Sequence, residues 1–255
     1  MSTERLTAIM EIARREGRVS VTALSELFQV THQTIRKDLL DLCDQRLLAR
    51  THGGAVLSAE VENVHYDARR QIRADAKEAI GRAAADYLPD NASLFMNIGT
   101  TTEAVARALL QHKGLRVITN SINVASAMAA YPNIEVSVAG GVVRSADGMI
   151  AGEKTVDLIN QYKVDYAIIG ISSIDEDGVL LNYDFQNAKV VQAMIANSRH
   201  VILVVDSTKF ERLAPVRVAT LDQIDLLVTD RCTPEHIRKH CVDHGIELLE
   251  TAPEA

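Results

Sequence analysis

The chain of 255 residues has few cysteines, no long apolar segment and no excess of positive charge. Its three cysteines, Cys43, Cys232 and Cys241, are an odd set without a Cys-x-x-Cys pair, which argues against a disulfide framework and a zinc ribbon. No apolar run approaches the roughly 18 residues that cross a bilayer, and the amino terminus has no secretory segment. We therefore expect a cytoplasmic protein without a membrane partner.

The formal charge of −7 by itself argues against a nucleic-acid partner, but the charge is unevenly distributed. Residues 1–56 contain eight Lys or Arg and seven Asp or Glu, so this part carries +1 and the remainder carries −8. Any DNA contact then depends on a few well-placed basic side chains near the amino terminus. The chain length and an apolar share of 47% allow one small module and one larger domain.

Residues 6–55 have the pattern of a winged helix-turn-helix. Apolar side chains at helical spacing predict helices at residues 6–16, 21–28 and 31–42, and Thr31 is a suitable N-cap for the third. The turn at residues 29–30 is short enough to hold the last two helices at a steep angle. The apolar and basic run at residues 47–55, with two glycines, indicates a small β wing. Similar helix pairs occur in all-α domains that bind no nucleic acid, but the conjunction of these parts favours DNA binding.

The third predicted helix presents polar side chains outward near its amino end, because its apolar residues form a single stripe. The predicted contacts to base edges are Gln33, Thr34 and Arg36, and the predicted contacts to phosphates are Lys37, Arg50 and His52. One winged module covers only roughly 600–1,000 Å² of DNA interface. We therefore expect a homo-oligomer, a dimer or a tetramer, that places two modules on double-stranded operator DNA.

The rest of the chain predicts a linker followed by one α/β domain. We place the DNA-binding domain at residues 1–57, a polar linker without regular period at 58–74, and a sensor domain at 75–255. Short apolar runs separated by amphipathic helices indicate a doubly wound, mostly parallel sheet with helices on both faces. The predicted strands lie at residues 93–97, 116–119, 135–139, 166–170, 200–206, 226–229 and 247–249.

Polar residues and glycines follow the first five of these predicted strands. In doubly wound sheets, ligands bind where the strands end, and a glycine and threonine turn that opens a helix can hold an anion, although a simple capping turn has the same pattern. Lys189 also fits an exposed helix lysine. The predicted effector-binding residues are Asn97, Gly99, Thr100, Thr101, Asn120, Ser121, Gly140, Gly141, Arg144, Asp175, Lys189, Asp206 and Lys209. Together they predict a pocket for a small, hydroxyl-rich anion.

Several landmarks occur in a fixed order along almost the whole chain. They are Thr34-Ile35-Arg36-Lys37-Asp38-Leu39, Arg50-Thr51-His52-Gly53-Gly54-Ala55, Gly99-Thr100-Thr101, Thr119-Asn120-Ser121, Ala139-Gly140-Gly141, Gly170-Ile171-Ser172 and Val205-Asp206-Ser207-Thr208-Lys209-Phe210. In these segments the chain resembles the DeoR family of bacterial sugar-metabolism repressors. The resemblance implies a sensor fold related to ribose-5-phosphate isomerases and CoA-transferases, and a phosphorylated sugar or polyol that releases the protein from its operator.

The resemblance also implies roles for particular residues. Gly99, Thr100 and Thr101 would hold the phosphate, while Asp175 and Lys209 would line the same pocket. Within the family, residues 98–106 and 197–201 resemble the same segments of members that regulate glycerol metabolism. Glycerol 3-phosphate is therefore the favoured effector. The chain departs from these members at two places. They tend to carry a charged residue after an aromatic pair, where this chain has Gln186-Asn187, and they usually have aspartate at the position of Asn97.

Two alternative functions stay open at this point. The same repressor architecture can sense another effector, such as a ketose phosphate or a deoxyribose phosphate. A sugar-phosphate isomerase is disfavoured, because no acidic residue is visibly paired with the glycine turns as a dedicated base. We therefore expect a regulator without catalytic residues or a cofactor.

A histidine-rich segment near the carboxyl end is the remaining candidate for metal chemistry. His236, His240 and His244 share one face of a predicted helix, with Cys241 adjacent, and such spacing can bind a metal. No partnering carboxylate is identifiable from the sequence, and the helix is predicted to be peripheral. We expect these residues to be structural and to hold no metal.

Overall fold

The computed structural model describes residues 2–16, 18–44, 47–51, 53–57 and 66–251. The chain divides into two compact units, Met1–Ala74 and Asp75–Ala255. Among the described residues, no helix combines the length and the apolar character that a membrane span requires.

The first unit is a winged helix-turn-helix, as the sequence predicts. A three-stranded antiparallel sheet, in the order β1-β3-β2, packs beside the helices. The elements are α1 (Ser2–Glu16), β1 (Arg18–Ser20), α2 (Val21–Phe28), α3 (His32–Asp44), β2 (Leu48–Thr51), β3 (Gly54–Leu57) and α4 (Tyr66–Gln71). The last helix occupies the second half of the segment expected to be an irregular linker; residues 58–65 of that segment lie outside the described residues.

An apolar core and one ion pair hold the first unit together. Ile9 of α1, Leu24 of α2 and Ile35 of α3 are almost completely buried in this core. On the inner side of α3, the Asp38 carboxylate accepts two hydrogen bonds from the Arg5 guanidinium, at 2.6 and 3.1 Å. This contact joins α1 to α3 and turns the opposite face of α3 outward.

The second unit is built on a seven-stranded sheet in which every neighbouring pair is parallel. Its strand order is β15-β14-β12-β9-β4-β5-β6, so the predicted parallel sheet is confirmed. The strands of the unit are β4 (Ser93–Met96), β5 (Leu115–Thr119), β6 (Ile134–Val138), β7 (Val142–Val143), β8 (Ile150–Ala151), β9 (Val164–Ile169), β10 (Ser173–Ile174), β11 (Val179–Asn182), β12 (Ser198–Val204), β13 (Val216–Thr220), β14 (Leu226–Thr229) and β15 (Glu247–Glu250).

Helices cover both faces of this sheet, because alternate residues of the central strands enter two different cores. Phe95 and Ile169 pack in one core, whereas Leu94 and Ile168 pack in the other. The α-helices are α5 (Ala74–Tyr87), α6 (Thr100–Ala108), α7 (Ile122–Met128), α8 (Glu153–Ile159), α9 (Phe185–Ala196) and α10 (Glu235–His244). Short 3₁₀ helices span Leu109–Gln111, Ser207–Glu211 and Leu221–Gln223. Residues of α5, α6 and α7 belong to the second core, and residues of α8, α9 and α10 to the first.

The structure contains antiparallel elements that the sequence did not predict. Strands β10, β11 and β13 form a separate antiparallel sheet, and β7 pairs with β8 as a hairpin. Their strands are short, so they produce little periodicity. The connections between the parallel strands are therefore less regular than a simple alternation of strand and helix.

Candidate effector site and DNA-reading helix

The sheet changes winding direction between β4 and β9, which are neighbours at its centre. Such a switch point opens a crevice at the carboxyl ends of the strands. There the Asn97 amide nitrogen donates to the Gly170 carbonyl oxygen, and the Gly170 nitrogen donates to the Asn97 amide oxygen, both at 2.8 Å. Asn97 is completely buried. This reciprocal pair gives Asn97 a bracing role, so we do not include it among the proposed effector contacts.

Gly170 marks the point where four segments meet. A Cβ atom placed on Gly170 would lie 3.4 Å from Thr102 Cγ2, 3.7 Å from the Val204 carbonyl oxygen and 3.9 Å from Asn97 Oδ1. The ends of β4, β9 and β12 and the start of α6 are therefore close together. This is the convergence that the glycines and polar residues of the sequence predicted.

The amino end of α6 faces this convergence with main-chain donors. Gly99 occupies the cap position and supplies no side-chain bond to the helix, and the Thr102 hydroxyl is within 2.8 Å of the Gly99 and Asn97 carbonyl oxygens. The first N–H groups of a helix have no acceptor within the helix, and the helix dipole favours an anion beside them. The turn that precedes Thr100 and Thr101 can therefore bind a phosphate.

A buried carboxylate with several cations lies just beyond the end of β12. Asp206 is 1% exposed, and burial alone would raise its pKa. The positive charges of Lys209, Lys77 and Arg212, together with a hydrogen bond from the Thr208 hydroxyl, outweigh burial and hold the pKa of Asp206 well below its usual range. The carboxylate therefore stays ionised, and cationic side chains are concentrated at this end of the sheet.

Lys77 and Arg212 were not predicted from the sequence. Lys77 is only 5% exposed and lies on the face of α5 that also buries Ile80, Gly81 and Ala84. A lysine in step with an apolar helical stripe is the signal that identifies it. Arg212 is 7% exposed and lies in irregular structure after a 3₁₀ helix, where no sequence pattern marks it.

The two predicted effector-binding residues after β5, Asn120 and Ser121, are buried and make hydrogen bonds to the main chain. The Asn120 amide oxygen accepts from the Ile98 nitrogen at 3.1 Å, and its amide nitrogen donates to the Ile150 carbonyl oxygen at 3.1 Å. The Ser121 hydroxyl caps α7 by accepting from the Val124 nitrogen. Both side chains are completely buried, so they shape the crevice from behind.

The predicted residues after β6 lead into the β7–β8 hairpin. The Gly140 carbonyl oxygen accepts a bond from the Thr155 hydroxyl, and Gly141 has φ +154° with no room for a side chain beside Thr155. Arg144 makes two bonds to Asp147, at 2.9 and 2.6 Å, and one to Asp184 at 3.0 Å. Two carboxylates therefore already compensate its charge, which does not fit the expected role of Arg144 as a cationic partner for phosphate.

Two further predicted effector-binding residues, Asp175 and Lys189, do not lie at the ends of the parallel strands. Asp175 lies in the turn between β10 and β11, where its carboxylate accepts bonds from the nitrogens of Asp177 and Val179. It was expected at the end of a parallel strand, but β10 belongs to the antiparallel sheet. Lys189 is exposed on α9, with its ammonium group 4.8 Å from the Phe185 ring centroid, as its alternative interpretation as an exposed helix lysine implies.

A cleft of about 620 Å³ also opens at the opposite edge of the sheet, by the amino ends of β4 and β5. The charged residues that line it have partners. The Asp165 carboxylate accepts bonds from the nitrogen and hydroxyl of Ser93, which lower its pKa, and exposed Arg116 lies 3.7 Å from Glu135. This cleft therefore presents no concentrated positive charge to an anion.

The outer face of α3 carries the predicted DNA contacts. Gln33, Arg36 and Lys37 are exposed, and Thr34 is partly exposed, with its hydroxyl 2.9 Å from that of Thr31. Thr31 also caps the helix by accepting from the Thr34 nitrogen at 3.2 Å, as predicted.

The wing and the turn shape this surface. Arg50 is exposed on β2 of the wing, and His52 lies outside the described residues. Gln29, between α2 and α3, has the left-handed conformation with φ 51°. Gly54 of β3 cannot be replaced without strain, because a Cβ atom there would lie 2.0 Å from the Val19 carbonyl oxygen.

The winged helix-turn-helix and the parallel-sheet unit each match a known domain. The sequence model of the DeoR-like helix-turn-helix domain matches residues 5–61, and that of the DeoR C-terminal sensor domain matches residues 72–231. The chain belongs to the DeoR family.

Similar DeoR-family relatives match nearly the whole chain. The glycerol-3-phosphate regulon repressor of Escherichia coli (strain K12) is 43% identical, covering 96% of this chain and 98% of that protein. The repressor of the same name from Haemophilus influenzae is 42% identical over 94% of each protein. The HTH-type transcriptional repressor CsqR of E. coli is 38% identical, covering 94% of this chain and 92% of that protein.

Among solved structures, a D-ribose-5-phosphate isomerase is similar with a TM-score of 0.40 and 14% identity over 54% of each chain. At this level the likeness does not bear on function.

Proposed function

We propose that this DeoR-family protein is a DNA-binding repressor of a carbohydrate or polyol operon, released from its operator by glycerol 3-phosphate. The family membership and the names of the relatives described above support a repressor. Glycerol 3-phosphate is taken from the relatives at 43% and 42% identity. An effector of this kind needs a phosphate site, and the amino end of α6 in the second unit supports one.

The observation that carries the proposal is the amino end of α6, which lies beside the ends of β4, β9 and β12, and β12 leads within two residues to Asp206 and its surrounding cations. Main-chain N–H groups at a helix start bind phosphate oxygens without a charged side chain. Lys209 adds positive charge, and because both bonds that Asp206 accepts from Thr208 use one carboxylate oxygen, we assign its second oxygen to a hydroxyl group of the effector. We assign the phosphate to Gly99, Thr100 and Thr101, and the remainder of the effector to Asp206 and Lys209.

We assign operator contacts to the exposed face of α3 and to the wing. Gln33, Thr34 and Arg36 are assigned to base edges; Lys37, Arg50 and His52 are assigned to phosphates. A single bidentate base contact discriminates by only about 1–3 kcal/mol, which is insufficient for operator selection by one module. We therefore propose a homo-oligomer held together by residues 75–255, with modules at 1–57 and a connection at 58–74.

Release follows if the effector prefers a conformation that places the modules incorrectly on DNA. Typical coupling of about 1–3 kcal/mol corresponds to a loss of operator affinity of roughly 5- to 150-fold. The test is a titration of glycerol 3-phosphate into the complex of the full chain with its operator, followed by fluorescence anisotropy. Unphosphorylated glycerol is the control. Absence of release up to tens of millimolar glycerol 3-phosphate would exclude this effector.

A pair of variants tests the assigned site. Lys209→Met is expected to raise the glycerol 3-phosphate concentration needed for release by about tenfold or more, and to leave operator affinity without effector unchanged. The matched control is Lys189→Met, which removes an exposed lysine of the same unit and should release normally. Equal behaviour of the two variants would contradict the assignment.

A second pair tests DNA reading. Arg36→Ala should relax discrimination between operator and altered operators, whereas Lys37→Ala should weaken binding to all sequences and reduce the salt dependence of affinity. Arg82→Ala, which removes an exposed arginine of the other unit, is the control for net charge. The assignment is wrong if both α3 variants bind like the control.

The runner-up is the same repressor with a different effector, such as a ketose phosphate or deoxyribose phosphate. All of these compounds carry the phosphate that the proposed site at the amino end of α6 would bind, so the titration is repeated with each. Release by one of them at a lower concentration than by glycerol 3-phosphate would identify the effector. Incubation with ribose 5-phosphate tests the isomerase alternative, and we expect no turnover.

A further inference from the structure

A surface cluster of two histidines and one aspartate lies in the second unit, separate from the residues assigned above. Asp222 is in the 3₁₀ helix Leu221–Gln223, and His240 and His244 are one turn apart on α10. Asp222 Oδ1 is 2.6 Å from His240 Nε2 and 3.7 Å from His244 Nε2. Three atoms that can ligate a metal therefore lie within 4.8 Å of one another.

A hydrogen bond orients His244 for ligation. Its Nδ1 atom is 3.0 Å from the main-chain carbonyl oxygen of His240, and because a carbonyl oxygen only accepts, Nδ1 carries the hydrogen. In the neutral ring, the Nε2 lone pair then points toward the Asp222 carboxylate, which is also an acceptor. Histidines that ligate metals commonly donate their second ring nitrogen to a carbonyl oxygen in this way.

We propose that Asp222, His240 and His244 bind a divalent transition-metal ion of the zinc class. Two imidazoles and one carboxylate suit zinc and its neighbours and disfavour magnesium and calcium, which prefer all-oxygen sites. With zinc–ligand bonds of about 2.0–2.2 Å, tetrahedral ligands lie roughly 3.4 Å apart. The distances of 2.6 and 3.7 Å lie on either side of this value, and all three side chains are at least partly exposed, so small rotations suffice.

The neighbouring cysteines do not join this ligand set. Cys241 follows His240 in the chain but is 1% exposed, and burial raises the pKa of its thiol. Burial likewise raises the pKa of Cys232 to about 12. Because Cys241 is packed in the apolar core and its sulfur is not among the ligating atoms that lie together, the site would have three protein ligands and leave a fourth position to water.

The ion would connect the 3₁₀ helix to α10, two elements that otherwise meet through side chains. Ligands that bind only the folded protein stabilise it by mass action. The sequence did not reveal this ligand set, because Asp222 is 18 residues from His240 along the chain and only the fold brings them together. The function proposed above does not depend on this site.

The experiment is isothermal titration of Zn²⁺ into the full chain, freed of any affinity tag and of metal, with thermal unfolding measured in parallel. His240→Ala, His244→Ala and Asp222→Asn should each weaken Zn²⁺ binding by at least about tenfold and abolish the rise in Tm that Zn²⁺ produces. His236→Ala is the matched control, since it removes another exposed histidine of α10 outside the cluster.

The expected result is one Zn²⁺ per chain in the wild type and in His236→Ala, with Mg²⁺ producing no heat. The proposal is overturned if wild type binds no Zn²⁺ up to about 1 mM, or if the cluster variants bind it as the control does. Operator binding without metal checks folding and should be equal in all four variants.

Discussion

Replacing Gly81 with alanine is expected to destabilise the second unit, although alanine favours helices more than glycine does. A Cβ atom at Gly81 of α5 would lie 2.7 Å from the Ala104 carbonyl carbon, 2.8 Å from its oxygen and 3.0 Å from the Val105 nitrogen. These are main-chain atoms of α6, so no side-chain rotation relieves the contact. The two helices must move apart at a point four residues from the turn assigned to phosphate.

The magnitude follows from two opposing effects. Forcing an extra atom into a packed contact costs about 1–3 kcal/mol, and a rigid main-chain neighbour places this cost in the upper part of the range. Removing glycine from a helix interior returns about 1 kcal/mol. The expected net loss in the free energy of unfolding is about 1–2 kcal/mol, which lowers Tm by roughly 2–8 °C in a unit of this size.

Differential scanning calorimetry of the full chain measures this change, since it resolves separate unfolding of two units. Arg82→Ala and Arg82→Gly, compared with each other, give the preference for alanine over glycine at an exposed position of the same helix. Gly81→Ala should also weaken release by glycerol 3-phosphate, because α6 is displaced. A Gly81→Ala protein as stable as wild type, or more stable, would refute the packing argument.

Three further changes test other contacts. Gly54→Ala should disrupt pairing of β3 with β1, because its Cβ would lie 2.0 Å from the Val19 carbonyl oxygen, and should lower operator affinity while calorimetry finds unfolding of the second unit unchanged. The lowered pKa of Asp206 means that its ionised form contributes stability above about pH 4, lost as the pH falls through the folded pKa. The difference in the free energy of unfolding between wild type and Asp206→Asn, measured by urea denaturation, should therefore become smaller below about pH 4. A difference that does not change with pH would contradict this. Lys77→Met should raise the pKa of Asp206 and reduce sensitivity to effector in the operator titration; release at the same effector concentration as in wild type would contradict a role for Lys77 at this site.

Most of the fold could be predicted because its elements have strong periodic signals. The helix Val21–Phe28 begins and ends where the apolar spacing predicts, since Ser20 caps its start and the left-handed Gln29 ends it. The parallel strands were recognisable as short runs of apolar residues, because both faces of the sheet are buried. Strands β10, β11 and β13 were missed, since short antiparallel strands beside loops show neither helical apolar spacing nor a continuous apolar run between helices.

The sequence predicted a candidate site at the strand ends, and the structure changes the interpretation of several of its residues. Glycines and polar residues at strand ends marked the crevice, yet Asn97 and Asn120 carry the same signal while bracing the backbone. From the sequence, Arg144 was predicted to be a cationic partner for the phosphate. Only its contacts with Asp147 and Asp184 in the structure reveal that its charge is compensated. Lys77 was overlooked because its partner, Asp206, is far along the chain.

By itself, the sequence determined the kinds of element, their order and the chemistry at the strand ends, because periodicity, caps and turns act between residues close in the chain. Only the tertiary structure decided which polar side chains remain available. Whether a carboxylate, an amide or an imidazole faces a ligand or a neighbour depends on residues distant in sequence, as Asp222 beside His240 and Asp184 beside Arg144 illustrate. Burial and charge compensation are set by those long-range contacts.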